Sequence, residues 1–398
     1  MGALSGLRVA DLTQFLAGPY GSMMLADMGA EVIKIERPKV GDTARILQQS
    51  EPKYCYQGMS SYYLTSGRNK KSITLDLSKE KPREVFYDLV KVSDVVYDNF
   101  RPGVLDRLEI DYGTLKKINP KIISCSATGY GLTGPAKDRP AFDGVIQAYG
   151  GEMSITGEPG RPPVRSGLAI GDMAAGVYAV VGILAALYAR QTSGVGQKVD
   201  ISMLDCQVSL WNYMATMYLM SGEVHVPWGT KHYVHAPYGA YKTKDIYIFL
   251  AIIGDAHWPL LVDALGIEEL RNEKYEKRAG RWEDKEKIDA ILGEVFQTKG
   301  GDEWVKILSE KGIPCAPVNS VDRVCSDSQV LSRNMIVEVE FPDGYKIKEP
   351  GNPIKLSETP GETFTPPPLL GQHTREVLTD ILKYTDEKID ELEKEGVI

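Results

Sequence analysis

One acidic residue stands out by its setting. Asp172 follows Gly171 and opens onto residues 173–189, an uncharged run rich in alanine and leucine with no polar face. Such a run reads as a helix surrounded by protein. A carboxylate at its mouth can cap the helix by accepting from first-turn N–H groups, with the helix dipole favouring the ionised form. From these residues the cap is the plainer reading and catalysis the sharper one, and the two roles are compatible. Gly171 removes the side chain next to the carboxylate, which lets another molecule approach, and Gly167 and Gly171 bracket a short apolar segment that suits a strand feeding a functional turn. A second group is cationic. Arg37, Asn99, Phe100 and Arg107 fall where strand ends are expected, and with Arg101 they would suit an anionic nucleotide or stand as solvated surface charges.

These residues need elements to hold them. Residues 7–12, 31–35, 71–77, 94–97 and 121–128 read as strands, with helices over 18–28 and 80–92 between them, a βαβ alternation that predicts a parallel sheet. Ligands of such sheets lie beyond the carboxyl ends of the strands. The loop Leu16-Ala17-Gly18-Pro19-Tyr20-Gly21 lacks the G-x-G-x-x-G spacing of a dinucleotide site, yet Glu36 stands where a ribose-binding acid would, which keeps a dinucleotide enzyme open as an alternative. A short helix is expected over 144–149 with Asp143 as its N-cap, a strand over 198–203 and one helix over 204–220. Composition shifts near Ser221. The reading is a large α/β domain over 1–220, a smaller α+β domain over 221–325, and a C-terminal segment over 326–398 that returns to the large domain.

Composition narrows the function. The 398 residues are 43% hydrophobic and 25% charged, as in an ordinary globular protein. A net charge of −8 argues against nucleic acid, so any anionic ligand must meet a local cationic cluster. Five scattered cysteines argue against a disulfide framework, and with no secretion signal or spanning segment read in the chain, the expected location is cytoplasmic, away from the membrane. At 17 residues the apolar run falls short of a membrane span. His225, His232 and His235 suit a surface loop better than a metal site, so no metal is expected, and Cys315 suits a buried inert thiol. Tyr56, Tyr62 and Tyr63 could line an acyl pocket or simply pack.

Ala17-Gly18-Pro19, Gly29 through Pro38, Asn99-Phe100-Arg101-Pro102-Gly103, Gly129-Tyr130-Gly131, Gly171-Asp172, Gly194-Val195-Gly196-Gln197 and Leu369 through Thr374 resemble, in order along nearly the whole chain, the class III CoA-transferases. The resemblance implies a Rossmann-like large domain that binds CoA, and an interlocked, ring-like homodimer. It implies an enzyme that moves CoA from an acyl-CoA to a free carboxylic acid, with coenzyme A as substrate and no tightly bound cofactor. Asp172 would be the nucleophile, passing through a mixed anhydride and an aspartyl-CoA thioester. Backbone N–H groups at the helix end would keep Asp172 ionised, and donors near Gly171 or on the second domain would stabilise oxyanions. Arg37, Leu75, Asn99, Phe100 and Arg107 match CoA-contacting positions, and Asp143 matches an acid near the nucleophile. Leu16 and Phe142 replace Gln and Tyr of the oxalate-using members, Pro140 replaces a CoA-contacting Lys, and a glycine-rich substrate loop is reduced to Ile253-Gly254-Asp255. These departures speak against formyl-CoA and oxalate and for a larger or less charged acyl group. The alternative within the same fold family is a 2-methylacyl-CoA racemase-type isomerase. Its His-Asp proton-transfer pair is Phe142-Asp143 here, which lacks the imidazole.

Overall fold

The Val- and Ile-rich segments of the N-terminal half form strands buried on both faces. The computed structural model describes residues 2–398. Strands β1 (Arg8–Asp11), β2 (Glu31–Glu36), β3 (Lys70–Thr74), β4 (Val95–Asp98), β5 (Ile123–Thr128) and β6 (Lys198–Ser202) make one parallel sheet in the order β3-β2-β1-β4-β5-β6. That order is the doubly wound one, in which the strand sequence reverses at β1 and leaves a crevice at the carboxyl edge. Val9 lies opposite Val32 and Val95, and Ala10 opposite Ile33 and Val96. Side chains alternate along a strand, so these two rows feed two separate cores. One holds Ala10, Ile33, Ile73 and Val96 against Phe86 and Leu89 of α2 (Glu80–Lys91). The other holds Val9, Val32, Val95 and Ile123 against Ala179, Val180 and Ile183 of the long helix Ile170–Ser193.

Helix α1 (Ala17–Asp27) follows β1, and α3 (Asp143–Tyr149) follows the long loop after β5. The apolar run becomes α4 (Ile170–Ser193), 24 residues long and, by length and composition alone, apolar enough to cross a membrane. It exceeds the expected 17 residues because Ile170, Gly171 and Asp172 open it and the polar Arg190–Ser193 end continues its hydrogen bonding. Ala179, Val180 and Ile183 are buried against the sheet, and Ala174 and Ala175 against Ile146 of α3 and Met203. No strand forms over 167–171, since those residues lead straight into the helix. A Cβ on Gly176 would stand 2.8 Å from the Ala17 carbonyl, and one on Gly21 2.9 Å from the Gly176 carbonyl. Only glycine allows the two backbones to meet there, and the crossing brings the start of α4 to the start of α1.

The single helix expected over 204–220 is two, α5 (Met203–Trp211) and α6 (Tyr213–Ser221), broken at Asn212, whose φ is +46°. The chain divides into two compact units. The first comprises Met1–Glu152, Arg165–Glu223 and Gln329–Ile398, the second Met153–Val164 and Val224–Ser328. Residues 153–164, read from the sequence as part of the large domain, group with the second unit, where the Gly229 N–H donates to the Gly157 carbonyl at 2.8 Å. In the first unit the terminal helix, Asp386–Lys394, sets Ile389 and Leu392 into the same core as Phe86. The second unit is built on the antiparallel strands β7 (Tyr238–Lys242), β8 (Tyr247–Ala251) and β9 (Cys315–Pro317), packed with helices around Trp258, Phe296 and Trp304.

Candidate active site

A cavity of about 520 Å³ opens at the carboxyl edge of the parallel sheet, wholly within the first unit. Three stretches wall it: the turn before α1 (Gln14 to Ala17), the loop after β4 (Asn99 to Pro102), and the segment from Lys137 to Gly144, with Arg165, Ala169 and Asp172 closing it. Hydrogen bonds fix the first two walls. Asn99 exchanges two bonds with the Gln14 backbone, both 2.8 Å, joining the first two walls. Asp98 accepts from the Phe100 N–H at 3.1 Å and the Ser126 hydroxyl at 2.7 Å, which turns the chain after β4. Burial raises the Asp98 carboxyl to about 6.

Asp172 sits in the first turn of α4, two residues inside the helix, and does not cap it. The cap comes from elsewhere. Asp143 Oδ1 accepts from the Gly171 N–H at 2.9 Å and, more loosely, from the Asp172 N–H at 3.4 Å. Asp143 was expected to cap its own helix, but Phe142 holds that place and the Asp143 carboxylate turns outward to α4. Its other oxygen takes a 2.7 Å bond from Gln147, one helical turn on. Gln147 is fully buried and also binds the Leu168 carbonyl (3.2 Å) and the Ser166 N–H (2.9 Å), so one side chain fixes α3, Asp143 and the entry to α4.

This arrangement reverses one expectation. The first-turn N–H groups are engaged by Asp143 and do not stabilise an ionised Asp172. Burial, and then the charge of Asp143, push the Asp172 carboxyl up to about 7. Nor is Gly171 open space for a ligand or its N–H a free oxyanion donor: a Cβ there would press to 3.2 Å from Asp143 Oδ1. Its smallness lets Asp143 reach the helix.

The remaining expected residues divide. Leu16, Asn99, Phe100, Phe142 and Asp143 line the cavity with Asp172. Arg37 and Arg107 are exposed and do not line it, and Leu75 is 2% exposed with its side chain in the core. Even so, Arg37, Leu75 and Asn99 are each the first residue past β2, β3 and β4, so their backbones form a row along the carboxyl edge. Gly254 belongs to the second unit, in the turn before the helix His257–Leu265, where Asp255 binds the fully buried Arg281 at 2.8 Å. Of the tyrosines, Tyr62 lines the cavity, Tyr63 lies under the Arg45 guanidinium, and Tyr56 stacks on Tyr345.

Four cations line the cavity as well: Arg101, Lys137, Arg139 and Arg165. Among the described residues none has a carboxylate within 4.0 Å. Only Arg101 had been read from the sequence. Gln147 was detectable as an i, i+4 neighbour of Asp143, whereas nothing local marks Arg165. No histidine is among the lining residues. No group of three or more potential ligands suited to a metal occurs among the described residues.

The family model described as CoA-transferase family III matches residues 4–374. Succinyl-CoA:glutarate CoA-transferase of Homo sapiens is 37% identical over 397 residues, covering 99% of this chain and 90% of that protein. Succinyl-CoA:mesaconate CoA-transferase of Haloarcula marismortui is 37% identical over 389 residues, 96% of each chain. A crystal structure of a CaiB/BaiF family protein from Brucella suis superposes with a TM-score of 0.86 at 34% identity, covering 95% of this chain and 99% of that one.

Proposed function

Since the chain belongs to CoA-transferase family III and is an enzyme moving CoA between an acyl-CoA and a free acid, we propose that Asp172 is its nucleophile and that its acids are dicarboxylates. One observation carries the first part: a half-buried carboxylate with no cation paired to it faces a cavity lined by four cations. An Asp172 oxygen attacks the thioester carbon, the C–S bond breaks, and CoA leaves as thiolate, giving a mixed anhydride. The thiolate then attacks the Asp172 carbonyl carbon and expels the donor carboxylate, leaving an aspartyl-CoA thioester. An acceptor carboxylate repeats both steps in reverse and restores the Asp172 carboxylate. No net proton or water is consumed, so the thioester's energy is retained. Desolvation makes Asp172 a stronger nucleophile than a solvated aspartate, and the lining cations offset the oxyanions that develop at each attack.

The relatives above are named for succinyl-CoA with glutarate or mesaconate, all dicarboxylic. Leu16 and Phe142 alone favoured a less charged acyl group. The cationic lining favours a second carboxylate, and Arg165, pinned through the Ser166 to Gln147 bond, is its proposed partner. CoA itself would run along the edge marked by Arg37, Leu75, Asn99 and Phe100, with Arg107 beyond, and would need only the backbone of Leu75. We also infer a homodimer, interlocked as the family resemblance implies, from exposed apolar residues on one stripe of α4 (Val177, Val181 and Tyr188) and on α6 (Leu219 and Met220). The five unpaired cysteines support a reducing, cytoplasmic setting.

The test is mass spectrometry of acid-quenched protein after incubation with succinyl-CoA, mapped by peptide, with Asp172→Ala alongside. A CoA or hydroxylamine-derived adduct on the Asp172 peptide, absent in the variant, is the expected result. Full transfer by Asp172→Ala would sink the assignment.

A further inference from the structure

Phe15 holds a backbone conformation that its side chain disfavours. Its φ of +65° is left-handed, and among the described residues it is the only aromatic of eight non-glycine residues with positive φ. A bulky residue stays there only where its surroundings enforce it, and such strain gathers at active sites and ligand clamps. The enforcement is visible. The Phe15 N–H donates to Asp42 Oδ1 at 3.1 Å, and the other Asp42 oxygen is held by the buried Lys34 ammonium at 2.8 Å. Gln14, just before it, is locked to Asn99 in both directions.

Held this way, the Phe15 ring meets Phe142 edge to face, with centroids 6.2 Å apart and planes at 75°. Both rings line the cavity that contains Asp172, and both also reach solvent, Phe15 at 37% and Phe142 at 66% exposure. A side chain that lines a cavity and touches solvent stands at its rim. The chemistry gives that rim a task. Between half-reactions the aspartyl-CoA thioester waits for an acid, and water competes: its oxygen would attack the aspartyl carbon, the C–S bond would break, the CoA thiolate would take one of the water's protons, and the other would pass to solvent as the Asp172 carboxylate returns. The net result is wasteful hydrolysis of acyl-CoA to acid and free CoA.

We propose that Phe15 and Phe142 form an aromatic rim that keeps water from the acyl-aspartyl and CoA-aspartyl intermediates, with the enforced backbone at Phe15 fixing the ring in place. This rests on Asp172 as the nucleophile. The experiment measures free-CoA release from succinyl-CoA without acceptor, and transfer to glutarate, in the full-length protein and in Phe15→Ala, Phe15→Tyr and Phe142→Ala. Hydrolysis relative to transfer rises about ten-fold in both alanine variants and stays at the parent value in Phe15→Tyr. Adding Asp172→Ala to Phe142→Ala abolishes the release. An unchanged ratio in Phe142→Ala, whose exposed ring can be removed without unfolding the protein, overturns the rim, as does release that survives Asp172→Ala. If Asp172→Ala alone still transfers CoA, the nucleophile assignment fails instead. Phe15→Gly, which also lacks the ring but accepts positive φ, melts about 1–3 °C above Phe15→Ala. Equal melting temperatures would remove the enforced backbone from the proposal.

Discussion

Two clusters of charge lie close together in the first unit and behave in opposite ways. Beneath the carboxyl ends of β1 to β3, Asp11, Glu36 and Asp42 are interleaved with Lys34, Arg45 and Lys70, all of them buried. Lys34 binds Asp42 at 2.8 Å, Arg45 binds Glu36 at 2.7 Å, and Lys70 binds Asp11 at 3.1 Å. Three anions meet three cations. Burial opposes the ionisation of Asp11, but Lys70 and Lys34 outweigh it and hold its carboxyl below the ordinary value; Arg45 and Lys34 do the same for Glu36. In the cavity, burial acts on Asp172 with no cation bound to it, and the carboxyl rises to about 7. The same desolvation is overcome where charge is paired and raises the carboxyl where it is not, the setting in which Asp172 is proposed to react.

The comparison can be broken at either end. Asp172→Asn loses transfer by more than about 10⁴-fold, some 5.5 kcal/mol of transition-state stabilisation, in a steady-state assay with succinyl-CoA and glutarate. The same variant gains folding stability above pH 7. In the folded parent the Asp172 proton is held more tightly than in the unfolded chain, so stability falls as pH rises from about 4 to about 7, and asparagine escapes that loss. Denaturant melts at pH 8 should place it on the order of 1 kcal/mol above the parent. A lower midpoint would mean that the carboxylate is stabilised in a way the structure does not contain.

Lys34→Met attacks the paired cluster. It leaves Asp11 and Asp42 with one cation too few, and unfolding measurements should show a loss of about 3–5 kcal/mol. A loss below 1 kcal/mol would mean that the network is no more than the surface pairs elsewhere on the protein.

Arg165→Ala sharpens the other side. The KM for a dicarboxylate acceptor rises about ten-fold while that for a monocarboxylate of the same length hardly moves, as befits one charge-assisted contact to the remote carboxylate. Equal changes for both acceptors would give the remote carboxylate to Lys137 or Arg139. The smallest effect belongs to Asp143→Asn. Without the second negative charge the Asp172 carboxyl falls, and the acid limb of the transfer rate, half-maximal near pH 7 in the parent, moves about one unit lower. A limb that stays in place would assign the shift to burial alone.

Much of this was legible along the chain. The alternation of Val- and Ile-rich strands with helices is a local pattern, and it led to the parallel sheet, to the carboxyl edge where the cavity opens and to Asp172 at the head of an apolar helix. Caps and cavities were less legible, because the atoms that make them are distant in sequence. Asp143 has the composition of an N-cap for its own helix, and only packing shows that it serves α4, 28 residues away. Arg37 and Arg107 carry the same charge as Arg165, and nothing in their neighbours tells which of the three faces the cavity.

The sequence by itself determined the fold class and the reaction, and it singled out Asp172 as the proposed nucleophile, because periodicity and motif order are carried by contiguous residues. The tertiary structure alone decided how that carboxylate is tuned. Its basicity depends first on its burial and then on the charge of Asp143, which Gln147 and Gly171 allow to reach the helix; the four lining cations are likewise gathered from three loops. Desolvation and charge act through space, and the distances that set them exist only once the sheet has brought its loops together.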